Sequence, residues 1–220
     1  MSTFEDRVPS SAPPPLSSDG RHGGSRRGIS YRRATAADVQ AVAALHADSW
    51  RRNYRGAYLD SFLDGDVVED RLTSWSERLS MPSTSSFTMV ANEGGVVVGF
   101  AHTILDEDAE WGALLDNLHV AHHLKGTGIG TRLMAETAAG VIDARPGSGV
   151  HLWVLEQNTA AQSFYRARGG RCVGHRLGGP FPGGGRAVTL RYAWPDPSIL
   201  IGQTTPPDIL DEAPDAREGQ

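Results

Sequence analysis

The run Lys125-Gly126-Thr127-Gly128-Ile129-Gly130 is the part of this chain whose residue types and spacing most directly imply chemistry. Glycines without side chains let backbone N–H groups come close to a ligand, and the free N–H groups at the start of a helix attract anions. The run therefore reads as a cradle for a pyrophosphate. It is not a P-loop, because its lysine precedes the glycines instead of following them. It is not a dinucleotide fingerprint either: Gly126, Gly128 and Gly130 alternate, and no acidic residue ends a second strand about twenty residues on. His119, His122 and His123 invite a metal reading, but a third ligand at suitable spacing is lacking and adjacent histidines face opposite ways, so no metal is expected there.

A strand must lead into this turn and a helix must leave it. Leu114, Asp116, Leu118 and Val120 fall on one face of an extended strand, with Asn117 and His119 on the other. Ile129, Leu133, Met134, Ala138 and Val141 recur at helical spacing after the turn. Upstream, Ile29–Arg33 reads as a short strand. Thr35 and Asp38 form a capping pair, and Val39, Val42, Ala43, His46 and Trp50 share a helix face that ends near Gly56. A second helix is predicted over 67–79, with Val68, Leu72, Trp75 and Leu79 on its buried stripe. Residues 87–91 and 96–104 read as a hairpin around Asn92-Glu93-Gly94-Gly95, and Asp106-Glu107-Asp108 as the next turn. Residues 150–155 predict a buried strand, 159–168 a helix, and 172–174 with 187–194 the closing strands. Trp75, Trp111 and Trp153 look like core. This order predicts an α/β (α+β) domain with a mixed, mostly antiparallel sheet and helices on both faces.

The chain has 220 residues, 39% of them hydrophobic, enough for one sizeable core. Residues 1–28 are rich in Pro, Ser, Gly and Arg and read as a disordered tail, residues 29–194 as the folded domain, and 195–220 as an acidic, Pro-rich tail. The latter holds Asp196, Asp208, Asp211, Glu212, Asp215 and Glu218 against Arg217 alone, so the net charge of −5 is carried by that tail. Nothing in this balance suggests nucleic acid. The single cysteine, Cys172, excludes an internal disulfide and a Cys-rich zinc site. With no long apolar run and no apolar leader, the expected location is cytoplasmic, without membrane contact. Lys125 is the only lysine among 21 cationic residues.

Lys125 to Gly130, following Asn117-Leu118-His119-Val120, resembles the central motif of the GNAT family of N-acetyltransferases, Arg/Gln-x-x-Gly-x-Gly/Ala after a strand of the form Asn-Leu-x-Val. Lysine stands in the usual arginine or glutamine place. A second stretch, Asn158-Thr159-Ala160-Ala161-Gln162-Ser163-Phe164-Tyr165 ending at Gly169-Gly170, resembles the family's second motif, in which the final pair is usually Gly-Phe. The resemblance implies a GNAT-like sheet with two central strands splayed apart, and acetyl-CoA as co-substrate. It implies cofactor contacts from Leu118, His119, Val120, Lys125, Gly126, Thr127, Gly128, Ile129, Gly130, Thr131, Asn158 and Tyr165. Tyr165 would then be the general acid facing the thioester sulfur, and the N–H of Val120 would stabilise the oxyanion. The base is left open among Asp116, Glu110 and His119. Asp116 leads because it shares a strand face with Val120, and a carboxylate that only orients the acceptor is an equal reading. Trp50, Tyr54 and Arg55 border the expected acceptor site, with core packing the competing role for Trp50. Asn158 could cap its helix as well. The resemblance implies acetyl transfer to a primary amine of a small molecule or protein, the alternative being a catalytically silent acyl-CoA sensor or scaffold. A homodimer through the last strands or Trp194 is compatible with it.

Overall fold

The computed structural model describes residues 28–204 apart from residue 82 and residues 182–183. The expected tails over 1–27 and 205–220 therefore lie outside the described residues. Seven strands form one sheet in the order β1-β2-β3-β4-β5-β7-β6. They are β1 (Ile29–Arg33), β2 (Ser86–Glu93), β3 (Val96–Asp108), β4 (Gly112–Val120), β5 (Val150–Leu155), β6 (Arg171–Gly178) and β7 (Ala187–Trp194). Among these described strands, only β4 and β5 pair in parallel. The mixed, mostly antiparallel sheet predicted from the sequence is present. Among the described residues, no helix is long and apolar enough to cross a membrane.

Helices cover both faces of the sheet. On one face, α4 (Ile129–Ala144) buries Ile129, Leu133, Met134, Ala138 and Val141 against β2, β3 and β4. On the other, α1 (Val39–Asn53) and α3 (Val67–Ser80) pack Val42, Ala43 and Trp75 on Val90 and Phe100. The start of α1 is set by Asp38, whose carboxylate accepts the N–H of Thr35 at 2.8 Å and pairs with Arg32 at 2.7 Å. The buried stripe of α3 runs through Val67, Arg71 and Trp75. Val68, predicted on that stripe, is 42% exposed, because the buried face runs through Val67 and Arg71 and leaves Leu72 and Leu79 half-buried at its margin. Two short helices complete the fold: α2 (Asp60–Asp64) and α5 (Thr159–Arg166).

Three further expectations are corrected. β3 extends through the acidic run as far as Asp108, and the turn that follows spans 109–111. The domain does not stop at residue 194: α6 (Ser198–Ile201) places Leu200, 1% exposed, in the main core beside α4. Trp194, expected at an exposed interface, is fully buried; its Nε1 donates to the Arg168 carbonyl at 2.8 Å and its ring fills the space a side chain at Gly170 would need. The ring missing from the Gly169-Gly170 pair is thus supplied from β7. Leu200→Ala is expected to cost about 2–5 kcal/mol, the usual range for emptying a buried leucine site. Urea unfolding reads this directly, and an unchanged midpoint would return residues 198–201 to the tail.

Candidate active site

Antiparallel neighbours hold most of the sheet together, but β4 and β5 share only two paired positions, Ala113 with Val150 and Leu114 with His151. Beyond Leu114 the two strands diverge, leaving facing backbone edges unjoined. The N–H of Ala121 donates to Val98 on β3 at 2.8 Å. Since amides alternate along a strand, the N–H groups of Val120 and Leu118 point to the opposite edge, into this gap. The gap opens into a cleft of ≈ 390 Å³ bordered by α1, β4, β5, the glycine turn and α5.

The glycine turn closes the mouth of the cleft. Gly126 (φ 82°) and Gly128 (φ 92°) are left-handed, and a Cβ at either would meet no atom within 4 Å. Their lack of side chains therefore serves backbone geometry and access from outside, not packing. Gly128 caps α4, so the first amides of that helix face the opening with no acidic side chain in the first turn. Lys125 is exposed at the rim. Arg168 reaches from the end of α5 to bond Thr131 Oγ1 at 2.9 Å, its guanidinium stacked 3.8 Å over Phe164, and it too lines the cleft. Gly130 leaves room for that phenyl ring, which would stand 3.3 Å from a Cβ there.

Deeper in the cleft stand Tyr165 and Asn158. Asn158 caps α5, its Oδ1 accepting from the Ala161 N–H at 3.1 Å. Burial, with Tyr54 adding to it, pushes the Tyr165 phenol well above its ordinary pKa, so it keeps its proton. On the α1 side, burial and then the Asp116 charge push the Tyr54 phenol up to about 12. Asp116 takes Arg78 Nη1 at 2.8 Å and Asn117 Nδ2 at 2.6 Å, both on Oδ2. His119 meets Ser49 Oγ at 2.7 Å through Nδ1, and Asn53 Nδ2 donates to the same hydroxyl at 3.3 Å.

An anion cradle at a helix start, leading into a gap between splayed parallel strands with a neutral phenol inside it, suits a phosphorylated co-substrate whose extended arm replaces the missing strand pairing. Residues 42–170 match the sequence profile of the Acetyltransferase (GNAT) family. The chain belongs to the GNAT family. It is an acyltransferase. A Mycobacterium tuberculosis protein named a probable N-acetyltransferase is 29% identical over 146 residues, covering 64% of this chain and 78% of the relative. An uncharacterized N-acetyltransferase of Bacillus subtilis is 26% identical over 141 residues, covering 63% and 78%. Among solved structures, the PaiA N-acetyltransferase of Thermoplasma acidophilum in complex with coenzyme A superposes with a TM-score of 0.57 at 17% identity, covering 76% of this chain and 99% of the other. The YncA acetyltransferase of Salmonella typhimurium with acetyl-CoA gives 0.54 at 17% identity, covering 76% and 92%.

Within this GNAT domain the expected site residues separate into those at the cleft and those behind it. Leu118, His119, Val120, Lys125, Gly126, Gly128, Gly130, Thr131, Asn158, Tyr165, Asp116 and Tyr54 all line it. Thr127 and Ile129 do not: Thr127 Oγ1 turns back to the Leu124 carbonyl, and the Ile129 side chain is buried beside Gly99, so only their amides could serve a ligand. Trp50 does not line the cleft. It sits in a separate cluster behind Tyr54, with Arg71 4.1 Å over its ring. Glu110 is exposed in the turn just before β4, at the paired end, and does not line the cleft. Trp111 and Trp153 are half-buried, the latter between Arg176 and Arg191.

Asp116, expected on the face of Val120, lies on the other one. His102 pairs with Asn117 and Thr103 with Leu115, so Asp116 is an extra residue in a β-bulge and the alternation changes phase there. Asp116 is turned towards α3, where Arg78 meets it. Ser49, Asn53, Arg78, Phe164 and Arg168 were not singled out from the sequence. Ser49 and Asn53 lie one helical step from His46 and Trp50, a signal available in the α1 pattern. The Arg78–Asp116 pair spans 38 residues and had none.

Three buried histidines lie beneath this wall. Burial lowers His119 to about 3, and burial with Arg78 lowers His102 to about 4; burial and His119 also hold His46 well below its ordinary range. The folded protein refuses protons that the unfolded chain accepts below about pH 6.5. Stability is therefore fully present above that pH and is lost as pH falls towards 4 and then 3, on the order of 3 kcal/mol for His102 alone. Urea midpoints between pH 7 and pH 4 should fall steadily and fall less in His102→Gln. A flat profile would mean these rings are not held neutral.

Proposed function

We propose that this GNAT enzyme transfers an acetyl group from acetyl-CoA to a primary amine of a small molecule or protein, by direct attack on the thioester. The observation that carries the reading is the unjoined stretch of β4 and β5, with the left-handed glycine turn at its mouth and Tyr165 inside it. The turn amides, Lys125 and Arg168 would hold the pyrophosphate, and the free strand edges and Asn158 the amide arm. Acetyl-CoA would supply the activated carbonyl.

The amine lone pair forms the new C–N bond while the carbonyl π electrons move onto oxygen. The Val120 N–H, already directed into the gap, meets that developing charge without reorganisation. Collapse then breaks the C–S bond. The Tyr165 phenol, which holds its proton tightly, meets the departing thiolate as a hydrogen-bond donor; complete proton transfer to sulfur is uphill while the thiolate is bound. On the acceptor side, both protein bonds to Asp116 fall on Oδ2, which leaves Oδ1 to accept an N–H of the amine or of a water that takes its proton. Tyr54 and Ser49 complete that wall. The expected acceptor half is thus polar, with one carboxylate.

Acetyl-CoA at about 100 times its dissociation constant should stabilise the protein by about 2.7 kcal/mol, a rise of roughly 5–11 °C for a domain of this size. Thermal unfolding with and without the ligand, with dephosphorylated and acyl-varied analogues beside it, measures this. No shift at saturation would defeat the cofactor assignment. A shift together with no amine acetylated would leave a binding module.

A further inference from the structure

Glu107 and Asp108 end β3, and His151 is the second residue of β5, at the paired end of the two diverging strands. One ligand atom from each lies within 4.8 Å of the other two. None of the three lines the cleft. His151 is 0% exposed, and neither of its ring nitrogens makes a well-aligned hydrogen bond, although the Trp111 backbone lies beside the ring. Its Nε2 stands 3.1 Å from Glu107 Oε2 without hydrogen-bond alignment. A fully buried imidazole without a well-aligned partner is costly, and a ligand that completes its pairing would offset that cost.

We propose that Glu107, Asp108 and His151 bind a divalent transition-metal ion of the zinc type. One imidazole with two carboxylates favours zinc or cobalt over magnesium or calcium, which prefer all-oxygen shells. The 3.1 Å between Nε2 and Oε2 is close to the roughly 3.4 Å separating two ligands about 2.1 Å from one tetrahedral ion. Asp108 is already oriented: its Oδ1 accepts the N–H groups of Glu110 and Trp111 at 2.9 and 3.0 Å, which leaves Oδ2 as the donor. Arg191 lies 3.0 Å from Asp108 Oδ2 and is the ion's competitor. Two carboxylates against one guanidinium still leave a net negative site, and Arg191 already rests 4.5 Å over Trp153, where it can remain. The ion would tie the end of β3 to β5 across β4, at the vertex from which the cleft opens. Its role is structural and does not depend on the acyl-transfer reading.

The sequence argued against a metal because it offered only nearby histidines; here the ligands come from positions 44 and 43 residues apart (151 − 107 and 151 − 108). The test is calorimetric titration of the full chain, stripped with EDTA and dialysed, with zinc chloride, followed by absorption spectroscopy with cobalt. One equivalent should bind and cobalt should show d–d bands. Glu107→Gln and His151→Gln should each weaken zinc at least tenfold, while Cys172→Ser and a His122→Gln, His123→Gln double variant leave it unchanged. Glu107 is partly exposed, so its variant carries the test if His151→Gln unfolds. No saturable binding to the wild-type chain, binding indifferent to Glu107→Gln, or binding abolished by the Cys172 or His122–His123 changes would each overturn the proposal.

Discussion

Tyr165→Phe lowers turnover at least tenfold, within the roughly 10²–10⁴-fold range of acid–base catalysis, and leaves the acetyl-CoA thermal shift within error of wild type. The ring packs edge-on to Trp194 and beside Tyr192, each with centroids 6.0 Å away, and phenylalanine keeps those contacts. Only the hydroxyl is lost, so the effect isolates the donor to the leaving sulfur. Release of CoA thiol with the best amine from a primary-amine panel gives kcat and KM separately. A loss in kcat with KM unchanged assigns the hydroxyl to the transition state. An unchanged rate removes Tyr165 from the mechanism and places thiolate protonation in solvent.

Gly128→Glu abolishes most of the stabilisation by acetyl-CoA, with affinity expected to fall at least a hundredfold, on the order of 3 kcal/mol. Two causes act together. A side chain at φ 92° costs about 1–2 kcal/mol and shifts the amides at the start of α4, and the new carboxylate enters the space reserved for phosphate. Gly147 separates them: it has φ 84° and open space around its Cβ, but does not border the cleft. Gly147→Glu should lower stability similarly and leave the ligand shift intact. Equal ligand shifts in both variants would mean the turn does not hold the phosphates.

The parts of the site that were legible in the sequence are those written locally. The glycine run, the strand before it and the helix after it occupy consecutive residues, and period and turn chemistry suffice to place them. Asn158 and Tyr165 came instead from the resemblance to the family's second motif, which is also local, lying at the start and within one short helix. What failed was set by distant partners or by a single inserted residue. The bulge at Asp116 is invisible to strict alternation, so the face assigned to that carboxylate was wrong. Its Arg78 partner and the Ser49–His119 bond join elements far apart in the chain. Proline and acidic residues after position 194 hid Leu200, because composition reports the average of a segment and one buried leucine is enough to dock it.

Trp194 is the last residue of the last strand, yet it reaches back to the helix that carries Tyr165. Its indole bonds the carbonyl of Arg168 and fills the place beside Gly170, whose own N–H is bound to the Tyr165 carbonyl. The helix that presents the phenol is thus fastened from the end of the sheet. During synthesis from the N-terminus, the glycine turn emerges from the ribosome more than sixty residues before this fastening does (194 − 130 = 64). A nascent chain therefore carries the glycine turn well before the residue that fastens the Tyr165 helix has been made.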